Sequence, residues 1–181
     1  MNFSFLGPFH PQIVHAPIAL LIFSAAFAIA GRLFDRDWLR RTSVLMLAIG
    51  FLGAWLAIQS GKPAHRVPER EQGVPEEAID QHKMVAYRVL WLSGGALVAI
   101  GIAARLQGRA AGVLSGLALV LQVLAAGAVG FTGYLGGRLV YEHGANVKVD
   151  GQLVKSARAA EHREERRGAP GAAPGESSER R

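Results

Sequence analysis

The chain has 181 residues, half of them hydrophobic and 19% charged, with a net charge of +6 and no cysteine. The missing cysteines exclude thiolate zinc sites, thiolate iron–sulfur clusters and disulfides. The basic balance does not read as nucleic-acid binding. Arg and Lys stand at the ends of apolar runs and in the tail, without interleaved aromatics, a placement that topology and anionic lipid headgroups explain.

The apolar residues come in long, nearly uncharged runs, as a bilayer requires. No basic segment precedes the first run, which argues against a cleaved signal peptide. The first predicted span covers residues 11–34. It opens on His10-Pro11-Gln12-Ile13-Val14-His15-Ala16-Pro17. Pro11 suits a first helical position, where its missing N–H leaves nothing unpaired. His10 then sits at the cap, His15 within the first turns, and Pro17 is expected to kink the helix.

A turn rich in arginine, Gly31 to Arg41, leads to a second span over residues 42–60. Gly50, Gly53, Ala54 and Ala57 give it a small-residue face. A Pro-rich connection containing His65 follows. Pro75-Glu76-Glu77 reads as a helix start, with proline first and acids complementing the dipole. That helix carries Asp80 and His82 and crosses the bilayer as the third span, residues 82–106, with Arg88 inside it. The fourth span covers residues 110–139 and exceeds the ~20 residues a crossing needs, so it must tilt, kink or project. Gly112-x-x-x-Gly116 and Gly133-x-x-x-Gly137 within it are helix-packing motifs, so a homo-oligomer through glycine faces is one expectation. Residues 146–181 form a polar tail, with a short hairpin around Asp150-Gly151 and a disordered end.

The expected fold is all-α, a polytopic membrane four-helix bundle over residues 1–145 followed by the polar tail. Four spans place both termini and the second connection on one face. The first and third connections carry Arg32, Arg36, Arg40, Arg41, Arg105 and Arg109, so the positive-inside rule puts them in the cytoplasm. The N- and C-termini then lie on the periplasmic side of a bacterial inner membrane. Lys62, Arg66, Arg70 and Lys83, with the basic tail, count the other way.

The same topology places His10, His15, His65, His82 and His143 on one face, whichever way the bundle points. Two readings follow. Interfacial imidazoles often sit half in water with no ligand role. Alternatively, facing helices of a bundle bring imidazoles together around a cofactor. On the second reading His15 and His82, each one to two turns inside its helix, are the axial ligands of a haem b or the ligands of a transition metal. His10 and His143 would serve a shallower site or hydrogen bonds, and His65, in a loop, is the weakest of the five. Arg88 either snorkels or clamps a cofactor carboxylate or Glu142. Gln59, Gln122 and Tyr134 read as interhelical bonds.

The opening His10-Pro11-x-x-Val14-His15-x-Pro17-Ile18-Ala19-Leu20, His82 at the third span, and the closing Gly136-Gly137-x-Leu139-Val140-Tyr141-x-x-Gly144 resemble a bacterial four-span family. That family is the domain of unknown function 2231, and the resemblance covers Phe9 to Val147. Ala16 stands where the family often has Phe. Family members are similar in layout to small di-haem b-type membrane proteins, so the resemblance implies a redox role among the possibilities. The expected function is a membrane electron-transfer component rather than a stand-alone enzyme, exchanging electrons with a redox partner. The alternatives are a non-redox anchor or assembly subunit of a larger complex, and a transition-metal binder. Motifs of soluble enzymes, such as a phosphate loop, a His-Glu-x-x-His helix or a nucleophile elbow, are absent.

Overall fold

The computed structural model describes residues 4–65, 68 and 72–154. The end of the tail expected to be disordered lies outside the described residues. A 3-10 turn, Ser4–Phe9, leads into α1 (His10–Ile13) and α2 (His15–Leu33). Then come α3 (Asp37–Ala64), α4 (Glu76–Ala103) and α5 (Gly108–Tyr141). Two short strands, β1 (Lys148–Val149) and β2 (Gln152–Leu153), pair antiparallel. Four helical segments are long and apolar enough to cross a membrane: Phe5–Leu33, Asp37–Ala64, Glu76–Ala103 and Gly108–Tyr141.

The helices run further than the apolar runs at most ends, because charged turns continue the hydrogen-bonded backbone. The first span is interrupted at Val14, between α1 and α2, and not at the proline itself. Pro17 falls in the first turn of α2 and cannot donate to the Ile13 carbonyl four residues back, so the hydrogen-bond ladder lacks that rung while Val14 keeps helical dihedrals (φ −67°, ψ −22°). The expected effect of Pro17 is therefore this missing rung, with Val14 N–H still bonded to the His10 carbonyl and Ile18 N–H to the Val14 carbonyl. The hairpin around Asp150-Gly151 is present, and both residues have positive φ (51° and 77°), as a two-residue primed turn needs.

The bundle closes as a ring: α2 packs on α3, α3 on α4, α4 on α5, and α5 back on α2. Leu21, Leu47, Ala54, Val89, Ala96 and Val129 form its core. The large side chains mostly point outward: Phe23, Trp38, Trp91, Phe131 and Tyr141 are exposed. This inversion of the usual pattern follows from the solvent. Lipid tails are as apolar as leucine, so interfaces select small residues and close contact.

Gly50 illustrates the selection. A Cβ there would stand 2.9 Å from Leu21 Cδ2 and 3.3 Å from Leu20 Cβ, and one at Gly53 would stand 3.2 Å from Pro17. The glycine face of α3 is thus used inside the chain, against α2. Gly112 and Gly116 have open space beyond them.

The α2–α3 turn is fixed by Arg40. It donates to the Gly31 carbonyl at 3.0 Å and pairs with Asp35 at 3.0 Å and Asp37 at 2.6 Å. Asp35 adopts φ 48° to make the turn. Within the bundle Ser24, Ser43 and Gln122 join α2, α3 and α5. Ser24 Oγ lies 3.1 Å from Gln122 Oε1, and Ser43 Oγ donates to the same oxygen at 3.0 Å. Gln122 therefore makes the interhelical bond expected of it, whereas Gln59 accepts from Lys62 on its own helix and Tyr134 is exposed.

Gly50→Ala is expected to destabilise the bundle by ~1–3 kcal/mol, since Leu21 is only 1% exposed and cannot yield. Gly116→Ala, with nothing within 4 Å, should be neutral or stabilise by up to ~1 kcal/mol. Thermal unfolding of the two variants in one detergent checks the contrast.

Candidate metal centre

Three imidazoles meet at the end of the bundle where α1 begins, α3 ends and α4 begins. His10 is the first residue of α1, His65 caps the C-terminus of α3, and His82 lies in the second turn of α4. One ring nitrogen from each lies within 4.8 Å of the others. The His10 and His65 rings meet edge to face at 6.1 Å, and His65 and His82 stand tilted at 5.8 Å.

Glycines make the room. A Cβ on Gly61 would stand 3.2 Å from His10 Cε1, and one on Gly136 3.3 Å from His82 Cε1. Both contacts are tighter than a side chain normally tolerates. The glycines beside the second span and in the closing motif therefore admit the rings.

Hydrogen bonds set two tautomers. His82 Nδ1 lies 3.1 Å from the Thr132 carbonyl, which can only accept, so Nδ1 carries the proton and Nε2 a lone pair. His10 Nδ1 lies 2.9 Å from Ser60 Oγ. The Ser60 proton already goes to the Ala57 carbonyl at 3.0 Å, so His10 Nδ1 is the donor here too. This is the arrangement that fixes metal-binding imidazoles from behind. His65 Nδ1 is different: it is buried and has no hydrogen-bond partner among the described residues. An unmatched buried polar atom is unfavourable by ~1–3 kcal/mol and needs a reason.

Burial is the main cause that holds the His65 imidazole neutral, with its pKa lowered from 6.5 to about 4. Positive charge on His82, His10 and Lys83 would push the same way, against Asp80.

The end of the bundle is closed by a second set of contacts. Gln72 Nε2 donates to the carbonyls of Gly144 (2.8 Å) and Val154 (2.6 Å), and its Oε1 accepts from the Asn146 backbone at 2.7 Å. Asn146 Nδ2 donates to the Ala64 carbonyl, next to His65, at 3.1 Å. Val74, Ile79, Leu139 and Ala145 form a small apolar cluster in this cap.

Of the residues singled out from sequence, His10 and His82 come together. His15 does not join them. It is exposed, and its Nδ1 donates to the Pro11 carbonyl of its own helix turn. The expected His15–His82 pair is therefore replaced by His10–His82 with His65, the residue ranked weakest. His143 is half-buried just past α5 and stands outside the group. Arg88 is exposed and reaches Met84 Sδ at 3.3 Å. Glu142 pairs with Arg138, one turn before it, at 2.8 Å, so no Arg88–Glu142 pair forms. Sequence reasoning missed Ser60, Thr132, Gly61 and Gln72. Only Gly136 stood in a motif that had been noticed.

A family model described as predicted membrane protein (DUF2231) matches residues 7–149. No curated protein matches the chain, and no solved structure does.

His65 gives a pH prediction. Above pH 6.5 neither folded nor unfolded His65 binds a proton; between 6.5 and about 4 only the unfolded state does. Metal-free protein should therefore lose stability as pH falls through that window, and His65→Gln should make the loss smaller. Thermal midpoints measured from pH 7.5 to 4.5 in the presence of a chelator check this.

Proposed function

The chain belongs to the DUF2231 family of membrane proteins, and on that premise we propose that it holds a transition-metal ion on His10, His65 and His82. The observation that carries this reading is the buried, unpartnered His65 Nδ1 beside two imidazoles whose tautomers are set by hydrogen bonds behind them. Neutral imidazoles suit zinc, copper, iron and nickel. Three protein ligands leave a further position for water, substrate or a partner's group. Ligands on a tetrahedral ion with ~2.0–2.1 Å bonds sit about 3.3 Å apart, so the rings draw in on loading.

The third ring favours a lone ion over haem b. A six-coordinate haem iron has four positions filled by the macrocycle and two axial ones. A third imidazole in the same cluster finds no place on it. The electron-transfer role expected from the sequence then becomes a property of a redox-active ion such as copper, or gives way to metal binding or delivery. The absence of acidic side chains from the cluster fits soft or borderline cations better than magnesium or calcium.

Arginine at the α2–α3 and α4–α5 turns supports an inner-membrane orientation with the metal end periplasmic. There the site would meet ions or a partner protein from outside the cytoplasm.

Purified protein should bind one equivalent of Cu²⁺ or Zn²⁺ in calorimetry and in elemental analysis. His10→Ala, His65→Ala and His82→Ala should each weaken binding by at least about 100-fold, and His15→Ala should leave it unchanged. Gly61→Ala and Gly136→Ala, which crowd the rings, should weaken it less. Binding that survives loss of His65, or a haem absorption band that depends on His15, would overturn the assignment.

A further inference from the structure

The opposite end of the bundle holds a cavity of about 250 Å³, lined by residues of α2, α3, α4 and α5. Its mouth carries Arg32 and Arg40, and its walls are Val44, Ile100 and Ala103. Gln122, only 3% exposed, lies deeper.

The polar groups there are nearly all donors. The Gln122 carbonyl oxygen is occupied by Ser24 and Ser43, while its Nε2 has no partner among the described residues. The two serine hydroxyls spend their protons on that oxygen and on the Ser43 carbonyl. Arg40 is neutralised by Asp35 and Asp37. Arg32 has no carboxylate partner among the described residues; its guanidinium donates only to the Ser115 carbonyl. A cation and, further in, an amide N–H thus face a pocket whose remaining walls are mostly apolar, from Ala28, Val44, Ile100 and Ala103.

An unpaired guanidinium at the mouth favours an anion over a neutral carbonyl compound. Apolar walls beside it disfavour an ion that keeps its water shell. A ligand must then offer an anionic oxygen at the surface, a neutral acceptor further in, and hydrocarbon. A glycerophospholipid has these three parts in this order: phosphodiester, ester carbonyl, acyl chain. We infer that this cavity is a glycerophospholipid site, with the phosphodiester on Arg32 and an ester carbonyl on the Gln122 amide.

The test is lipid binding to delipidated protein in detergent, read by native mass spectrometry. Three probes are titrated: phosphatidylglycerol, diacylglycerol, which lacks the phosphate, and inorganic phosphate, which lacks the rest. Phosphatidylglycerol should bind at least about tenfold tighter than either. Arg32→Gln should weaken it by about tenfold. Gln122→Glu, which keeps the oxygen for the serines and removes the N–H, should do the same. Arg109→Gln, an exposed arginine outside the cavity at this end, should change nothing. Equal phosphatidylglycerol affinity in wild type and Arg32→Gln overturns the inference. So does inorganic phosphate binding as tightly as the lipid. If Gln122→Glu does not fold, Arg32→Gln and the probe series decide alone.

Discussion

A bilayer interior offers no hydrogen bonds, so every polar group carried into it must find its partner within the protein. Long helices solve this for the backbone. The side chains need individual answers, and the structure supplies them. Ser93 donates to the Val89 carbonyl at 2.7 Å and Thr132 to Ala128 at 2.8 Å, each returning its proton to its own helix. Ser24, Ser43 and Gln122 answer one another across three helices. Against this regularity two polar atoms stand out. Among the described residues, His65 Nδ1 is buried without a partner, and Gln122 Nε2 at the opposite end of the bundle faces the cavity without one.

The same constraint explains why glycine matters so much here. Helices gain little from hiding apolar surface when lipid is equally apolar, so they associate by close approach. Gly50 and Gly53 let α3 meet α2 at Leu21 and Pro17. Gly61 and Gly136 use the same closeness for a different end, admitting imidazoles from neighbouring helices where a methyl group would collide. One residue type therefore packs the core and shapes the site. In both uses the glycine is needed for space, since these positions have ordinary helical dihedrals.

The four crossings and the family were legible because length without charge is a strong signal, and because the opening and closing motifs are distinctive. The clustering of histidine at one end followed from topology alone. The choice among the histidines did not. Depth along a helix suggested His15, but depth ignores azimuth, and that ring is exposed and bonds the Pro11 carbonyl of its own helix turn. The loop around His65 looked exposed by composition. In the fold α3 continues through Gly61, Lys62 and Pro63 to Ala64 and delivers His65 to the bundle end, 9% exposed. Gln72 was invisible for a related reason. A glutamine in a polar loop reads as solvated until the carbonyls of Gly144 and Val154 are seen to flank it.

Those Gln72 bonds bear on the end of the bundle where the histidines meet. The three histidines come from three chain segments, α1 and the end of α3 being joined by the His10–Ser60 bond. α1 is a single turn, His65 lies past the end of α3, and only His82 is well inside a long helix. The cap made by Gln72, Asn146 and the β1–β2 hairpin holds the second of these segments by bonding both sides of the connection that follows it. The family match extends to residue 149 and so takes in Gln72, Asn146 and β1 together with the spans, while β2 and Val154 lie beyond it. A site that needs its least anchored ligand held in place, buried and uncharged, has use for such a cap. An interfacial imidazole serving only to rest at the membrane surface would have none. That contrast is the structural reason to read the cluster as a ligand set rather than as three separate interfacial residues.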